Sequence, residues 1–412
     1  MNKKHKSIVK KLRVRFQVMR HHFSIFKDES KLDINYVPSR LPHRDAQLNL
    51  LNQFFRSVVE TPGKMAQRVL ITGKIGTGKT VLSQHFGLQI IREAREKGAN
   101  LHFVHVNCRE CKGSFFMVLH QVISKFHPNF PRRGYSATEI LQMLIQVLDA
   151  QNAFVILVLD ELDALISNEG SDPLYDLSRI QEGRLNAPQR LSLICILRET
   201  EYLDLLDPST KSTLQRNIIS LGEYSESQLR DILNERAEMA FKQGAVSQSV
   251  LDFIAELAAS EGGDARYAIE LLWRAGKYAD VSQLPMVSPE NVRAAAASVY
   301  PVVRKDEILS LGLHEKLFLL GVARYFKQTG LAYVSMGDAE EAYTIVCEEY
   351  GKKGLRHTQL WKYVKGLAAS GIIETKLSGI GQRGKTNIIG LPKVPAEDLE
   401  RELVKFLSAT RR

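Results

Sequence analysis

Gly73-Lys74-Ile75-Gly76-Thr77-Gly78-Lys79-Thr80 decides the reading of this chain. It matches G-x-x-x-x-G-K-[ST] at every fixed position. Its surroundings matter as much: Arg68 to Thr72 reads as a strand and Thr80 to Lys97 as a helix. Between strand and helix, glycines let the backbone wrap round an anion so that successive N–H groups point at phosphates. The start of the helix adds partial positive charge. Lys79 is then expected to reach the β- and γ-phosphates and the Thr80 hydroxyl to hold Mg²⁺. Gly76, Thr77, Gly78 and Val81 complete the cofactor-binding stretch.

A phosphate loop needs a second, carboxylate site for the metal. Phe154-Val155-Ile156-Leu157-Val158-Leu159-Asp160-Glu161 supplies one, a buried strand ending in two acids. Asp160 is placed to hold Mg²⁺ through water, and Glu161 to polarise an attacking water as general base. Lys79, Asp160 and Glu161 are therefore the candidate catalytic residues. No Asn/Thr-Lys-x-Asp guanine-reading signature is present, which favours ATP and ADP over guanine nucleotides.

Working outward, short apolar runs at Val69–Ile71, Phe103–Val106, Phe154–Leu159 and Leu193–Ile196 alternate with amphipathic helical stretches. That alternation implies a parallel sheet covered on both faces. From Ser225 to Val299 four helical stretches follow without a strand signal. After Leu313 come three helical patterns and two short β runs, 372–376 and 386–389, flanking a glycine-rich turn. The expected class is α/β: a P-loop αβα core, a helical domain and a C-terminal winged helix. The expected division is 1–32 as a basic arm, 33–222 as the core, 223–300 as the helical lid and 301–412 as the winged helix.

Charge is distributed unevenly. The net charge is +10 over 412 residues. Residues 1–27 carry nine Lys/Arg and no acid, and residues 351–393 carry nine Lys/Arg against Glu374 alone. The remainder is mildly acidic. Two basic patches on an acidic body are the pattern of a polyanion-binding protein, although the first reads equally as a solvated arm. In the second, Leu360, Val364, Leu367 and Ala368 make a helical apolar face, and Thr358, Lys362 and Lys365 another face extended by Arg356. A helix apolar on one side and basic on the other can pack on its domain while entering a major groove. Arg383 and Lys385 in the glycine-rich turn are expected to reach phosphates as a wing. No apolar run approaches the roughly 18–20 residues of a membrane helix. Four cysteines form no disulfide scaffold, consistent with a reducing compartment.

Together these residues resemble archaeal replication initiators of the origin-recognition-complex type, within the AAA+ ATPases. The resemblance spans roughly residues 25–391. It rests on Tyr36-Val37-Pro38, Leu41-Pro42-His43-Arg44, the phosphate loop, Leu159-Asp160-Glu161-Leu162-Asp163, Leu206-Asp207-Pro208, Gln228-Leu229-Arg230-Asp231-Ile232-Leu233 and Gly263-Asp264-Ala265-Arg266. It implies that Arg266 contacts the nucleotide phosphates and that Tyr224 and Arg236 line the nucleotide pocket. It also implies that the insertion 128–140, with Arg132 and Arg133, contacts DNA. Two departures stand out. Arg198 occupies a position where the family usually has a polar residue, commonly Asn, and Ser209 follows Leu206-Asp207-Pro208 where it usually has Arg. An arginine supplied in trans is worth ~10³-fold or more in phosphoryl transfer, so slow hydrolysis is expected, with ATP acting mainly as a switch.

The resemblance implies double-stranded origin DNA and the replicative helicase as partners, leaves self-association on DNA open, and places the protein in the cytoplasm at the nucleoid. Two other readings stay open: a regulatory, non-catalytic paralogue, and a signalling or transposition ATPase. The Cys108-x-x-Cys111 motif with His102 and His105 suggests zinc. However, an odd separation on a strand turns the two histidines to opposite faces, so zinc is set aside. The run Ile8 to Phe26 reads as an arm for DNA or a partner ahead of a membrane-surface helix.

Overall fold

The computed structural model describes residues 24–180, 184, 187–299, 308, 310–377 and 387–409. Most of the basic arm, and Arg383 and Lys385 of the expected wing, lie outside them. Five strands form a parallel sheet: β1 (Arg68–Thr72), β2 (Leu101–Asn107), β3 (Phe154–Asp160), β4 (Leu191–Leu197) and β5 (Ile218–Ser220). Their order is β2-β3-β4-β1-β5. Strands β3 and β4 are buried along their whole length, which is why they read as unbroken apolar runs. Strand β5 buries only Ile219 and carries no such signal in the sequence.

Alternation along the strands builds the layers. Val69, Ile71, Ile156 and Ile194 face one side and pack with Leu51 and Phe55 of α1 (Asp45–Glu60) and Phe86 of α2 (Lys79–Glu96). Leu70, Leu157 and Leu193 face the other and pack with Val118 and Leu119 of α3 (Phe115–Phe126) and Leu144 of α4 (Ala137–Ala150). The result is the expected αβα core. Register sets Thr72 opposite Leu197 and Leu159 opposite Cys195, so β1, β3 and β4 end at nearly one level. The short helices α5 (Asp163–Glu169), α6 (Asp172–Arg179) and α7 (Pro208–Leu214) follow those ends.

Two compact units divide the chain: Asn35–Ile232 with Ala259–Arg266, and the chain up to Ile34 with Leu233–Ala258 and Tyr267–Arg412. The helices α8 (Glu226–Ala240), α9 (Gln248–Ser260), α10 (Ala265–Val281) and α11 (Pro289–Val299) match the four helical stretches of the sequence. The winged helix comprises α12 (Leu313–Thr329), β6 (Tyr333–Ser335), α13 (Met336–Glu349), α14 (His357–Ala369), β7 (Glu374–Leu377), β8 (Asn387–Gly390) and α15 (Ala396–Ala409). Its three-stranded sheet runs β6-β8-β7. No helix of the described residues is long and apolar enough to cross a membrane.

Arg293 on α11 ties the helical bundle to the winged helix inside the second unit. Its side chain is wholly buried. The guanidinium donates to Leu391 O (3.0 Å), Leu331 O (2.9 Å) and Ala332 O (2.9 Å), and pairs with Glu290 (3.0 Å). Burial lowers its pKa, and Glu290 counters that. Three main-chain acceptors depend on one side chain. Arg293→Leu is expected to cost this unit about 3 kcal/mol, read as a lower urea midpoint at an unchanged slope.

Candidate functional site

The phosphate loop turns out of β1 into α2 with Gly76 at φ 78° and Gly78 at φ 88°, left-handed conformations that glycine adopts without penalty. A Cβ at Gly76 would lie 2.0 Å from Asp264 Oδ1, so that position is closed on steric grounds as well. The Ala265 N–H donates to Gly76 O (3.2 Å) and Asp264 Oδ1 accepts from the Arg266 N–H (2.8 Å). Thus the stretch opening α10 is clipped onto the loop within one unit, and Arg266 is exposed beside it. The Tyr224 N–H reaches Gly263 O at 3.4 Å. Thr77 is buried and its hydroxyl donates to Lys74 O (2.8 Å), while Val81 is half-buried in the first turn of α2.

Lys79 is buried, and its ammonium donates to Gly73 O (2.5 Å) and Lys74 O (2.7 Å). Burial pushes its pKa down; Asp160 opposes this, while Arg266 and Arg198 add repulsion. Thr80 Oγ1 donates to Asp160 Oδ2 (2.7 Å), and the Glu161 N–H to Asp160 Oδ1 (2.8 Å). Burial alone would raise the pKa of Asp160, but His105 and Thr80 outweigh it and hold the carboxylate below its ordinary range. Glu161 sits at φ 49°, a strained conformation for a residue with a side chain. Three cations converging on a glycine-lined loop, next to a hydroxyl–carboxylate pair of hard oxygen donors, fit a nucleoside polyphosphate with Mg²⁺.

One unit therefore brings together Gly76, Thr77, Gly78, Lys79, Thr80, Val81, Asp160, Glu161, Tyr224 and Arg266. Arg236 belongs to the other unit, where it is buried and donates to Lys31 O (2.8 Å). A cleft of about 440 Å³ beside the loop is lined by Lys74, Arg198, Glu223 and Asp264 among others. Arg198 donates to Asp163 Oδ2 (2.7 Å), which raises its pKa. Ser209 Oγ accepts from Arg179 (2.9 Å).

Two residues near the loop carry no sequence signal for a role there. Arg44 lies 3.9 Å from the centre of the Tyr224 ring and donates to Thr77 O and Gly222 O, both at 2.9 Å. Burial lowers its pKa and the Tyr224 side chain counters. His105 is the other: its Nε2 lies 3.2 Å from Asp160 Oδ2. The rest of the Cys/His motif disperses, with Cys108 and Cys111 buried as thiols and His102 turned to Asn100 (3.0 Å).

The sequence-predicted basic helix is α14. Leu360, Val364 and Leu367 are buried, while Arg356, Thr358, Lys362 and Lys365 are exposed. His357 meets Glu340 at 2.8 Å, placing an acid at the amino end of this basic face. Arg132 and Arg133 are exposed on the segment before α4, which a Ser136–Glu139 capping box closes.

Known proteins share this order of domains. Residues 64–206 match the AAA domain model, 230–297 the Cdc6 AAA+ ATPase-type lid domain, and 306–402 the CDC6 C-terminal winged helix domain. The chain is thus an AAA+ protein with a Cdc6-type lid and winged helix. It is 34% identical over 376 residues to ORC1-type DNA replication protein 2 of Sulfolobus acidocaldarius, covering 90% of each chain. Crystalline Cdc6p from Pyrobaculum aerophilum aligns with TM-score 0.80 and 32% identity, over 94% of this chain and all (100%) of that one. The Aeropyrum pernix ORC1 protein, solved in complex with DNA, aligns with TM-score 0.61 and 28% identity, over 94% and 98%. The chain belongs to the family of ORC1-type DNA replication proteins.

The strain at Glu161 gives a direct check on the site's backbone. Asn accepts the left-handed region readily, so Glu161→Asn is expected to raise the unfolding free energy by about 1 kcal/mol. Glu161→Val, β-branched, is expected to lower it. Urea unfolding of both variants reads the sign.

Proposed function

We propose that this protein is an ATP-dependent replication initiator that recognises double-stranded origin DNA and helps recruit or load the replicative helicase. ATP acts as the switch and hydrolysis is slow. The observation that carries the reading is the meeting of Lys79, Thr80, Asp160 and Glu161 in one unit of a chain whose other unit ends in a winged helix. Thr80 and Asp160 are the residues to hold Mg²⁺, which when bound supplies charge neutralisation between phosphates. Lys79 holds phosphate oxygens and Arg266 faces them. Tyr224 lines the nucleotide pocket, and Glu161 takes the proton of the attacking water.

The exposed faces support the DNA half of the reading. Arg356, Thr358, Lys362 and Lys365 on α14 meet the major groove, Arg383 and Lys385 act from the wing, and Arg132 and Arg133 add backbone contacts. The Aeropyrum pernix ORC1 protein is in complex with DNA in its own structure, which supports DNA binding by this relative of it. The expected setting is the cytoplasm, at the nucleoid, with copies associating on DNA. A regulatory paralogue is the second reading. Arg198 and Ser209 favour it, because both depart from residues usual at the hydrolysing site and its boundary.

Footprinting on the chain's own origin region tests the proposal. Protection at a discrete site that changes between ATP and ADP is expected; uniform protection indifferent to nucleotide would contradict it. Lys362→Ala is expected to weaken binding and to lower the slope of log affinity against log salt by about 0.9. Glu161→Gln is expected to leave ATP bound and to remove the residual hydrolysis, measured as phosphate release.

A further inference from the structure

Asp160 is held at both carboxylate oxygens. Oδ1 accepts from the Glu161 N–H at 2.8 Å, and Oδ2 accepts from Thr80 Oγ1 at 2.7 Å. His105, on β2 beside β3, brings Nε2 to 3.2 Å from the same Oδ2. That nitrogen is buried and has no other polar partner; against Asp160 it falls short of good hydrogen-bond geometry. The imidazole is about one-fifth exposed (22%) and the carboxylate 5%. Strand register explains the meeting: His105 lies opposite Val158 and Asn107 opposite Asp160, so the ring projects at the carboxyl end of β3.

We propose that His105 is a positioning residue for the divalent cation: from β2 it fixes the orientation of the Asp160 carboxylate at Oδ2. This rests on the reading of Thr80 and Asp160 as the Mg²⁺-holding pair. Asp160 Oδ2 has two side-chain neighbours, and the Thr80 hydroxyl can give its one proton to the carboxylate while its lone pairs stay open to the metal. His105 is the neighbour that meets no phosphate-loop group. With Oδ1 held by the Glu161 N–H, the partners of Oδ2 set the remaining orientation, and an outer partner of this kind typically sets metal affinity by ~10–100-fold. Its role needs only a ring N–H aimed at Oδ2, which a glutamine side chain also supplies. It acts on the cation, leaving the phosphate contacts of Lys79 and the loop N–H groups alone.

The test is ATP affinity of the full chain, by calorimetry, in Mg²⁺ and in EDTA. His105→Leu is expected to reduce the Mg²⁺ enhancement of ATP affinity by ~10-fold with the EDTA value unchanged. His105→Gln is expected to restore it. Thermal unfolding without nucleotide checks that the variants fold; if His105→Leu does not, His105→Phe is read by the same criteria. An unchanged Mg²⁺ enhancement in the variant without a donor overturns the inference. So does an equal loss in Mg²⁺ and EDTA, which would mean a purely structural role. Wild-type protein that binds ATP without any Mg²⁺ enhancement overturns the Thr80–Asp160 reading beneath it, a result distinct from either.

Discussion

The hydrogen bond from Thr80 to Asp160, 2.7 Å long, joins the start of the helix after β1 to the end of β3 across the intervening β4. It forms only because parallel register sets the ends of those strands nearly level. Open α/β sheets gather ligands outside the carboxyl ends of their strands for the same reason: loops and helix amino ends converge there. In this protein the convergence brings three cations together, and Lys79 is left bonding main-chain carbonyls of its own loop. What is proposed about nucleotide follows from the meeting of the loop lysine with a hydroxyl–carboxylate pair.

A second constraint concerns the winged helix. It shares a compact unit with most of the helical bundle, and Arg293 holds three of its main-chain carbonyls from α11. Glu256 on α9 adds contacts to Tyr333 and to Lys376 on β7. A winged helix anchored in this way is positioned by the bundle.

The phosphate loop, the acid-ended strand and the apolar runs were legible because each repeats a local rule: glycine at turns, alternation on strands, unbroken hydrophobicity where both faces are covered. The basic face of α14 was legible for the same reason, since helical spacing separates Leu360, Val364 and Leu367 from Lys362 and Lys365. Strand β5 was not, because three residues with one buried side chain leave no pattern. Neither were Arg44 and His105, whose roles come from partners 33 and 55 positions away. His105 drew attention in the sequence only as a candidate zinc ligand beside two cysteines. The fold buries those thiols and turns the ring to Asp160, a pairing that residue spacing does not encode.

Arg293 illustrates the opposite failure of sequence pattern. Helical spacing in α11 does not mark Arg293 for burial, yet it is fully buried because main-chain carbonyls of the winged helix accept from it. The account as a whole is tested most directly by a crystal structure with a non-hydrolysable ATP analogue and Mg²⁺. It predicts a polyphosphate on the N–H groups of Gly76 to Thr80, with the Lys79 ammonium moved from Gly73 O and Lys74 O onto phosphate oxygen. An analogue bound elsewhere, or a Lys79 still bonded to its own loop with phosphate present, would contradict it.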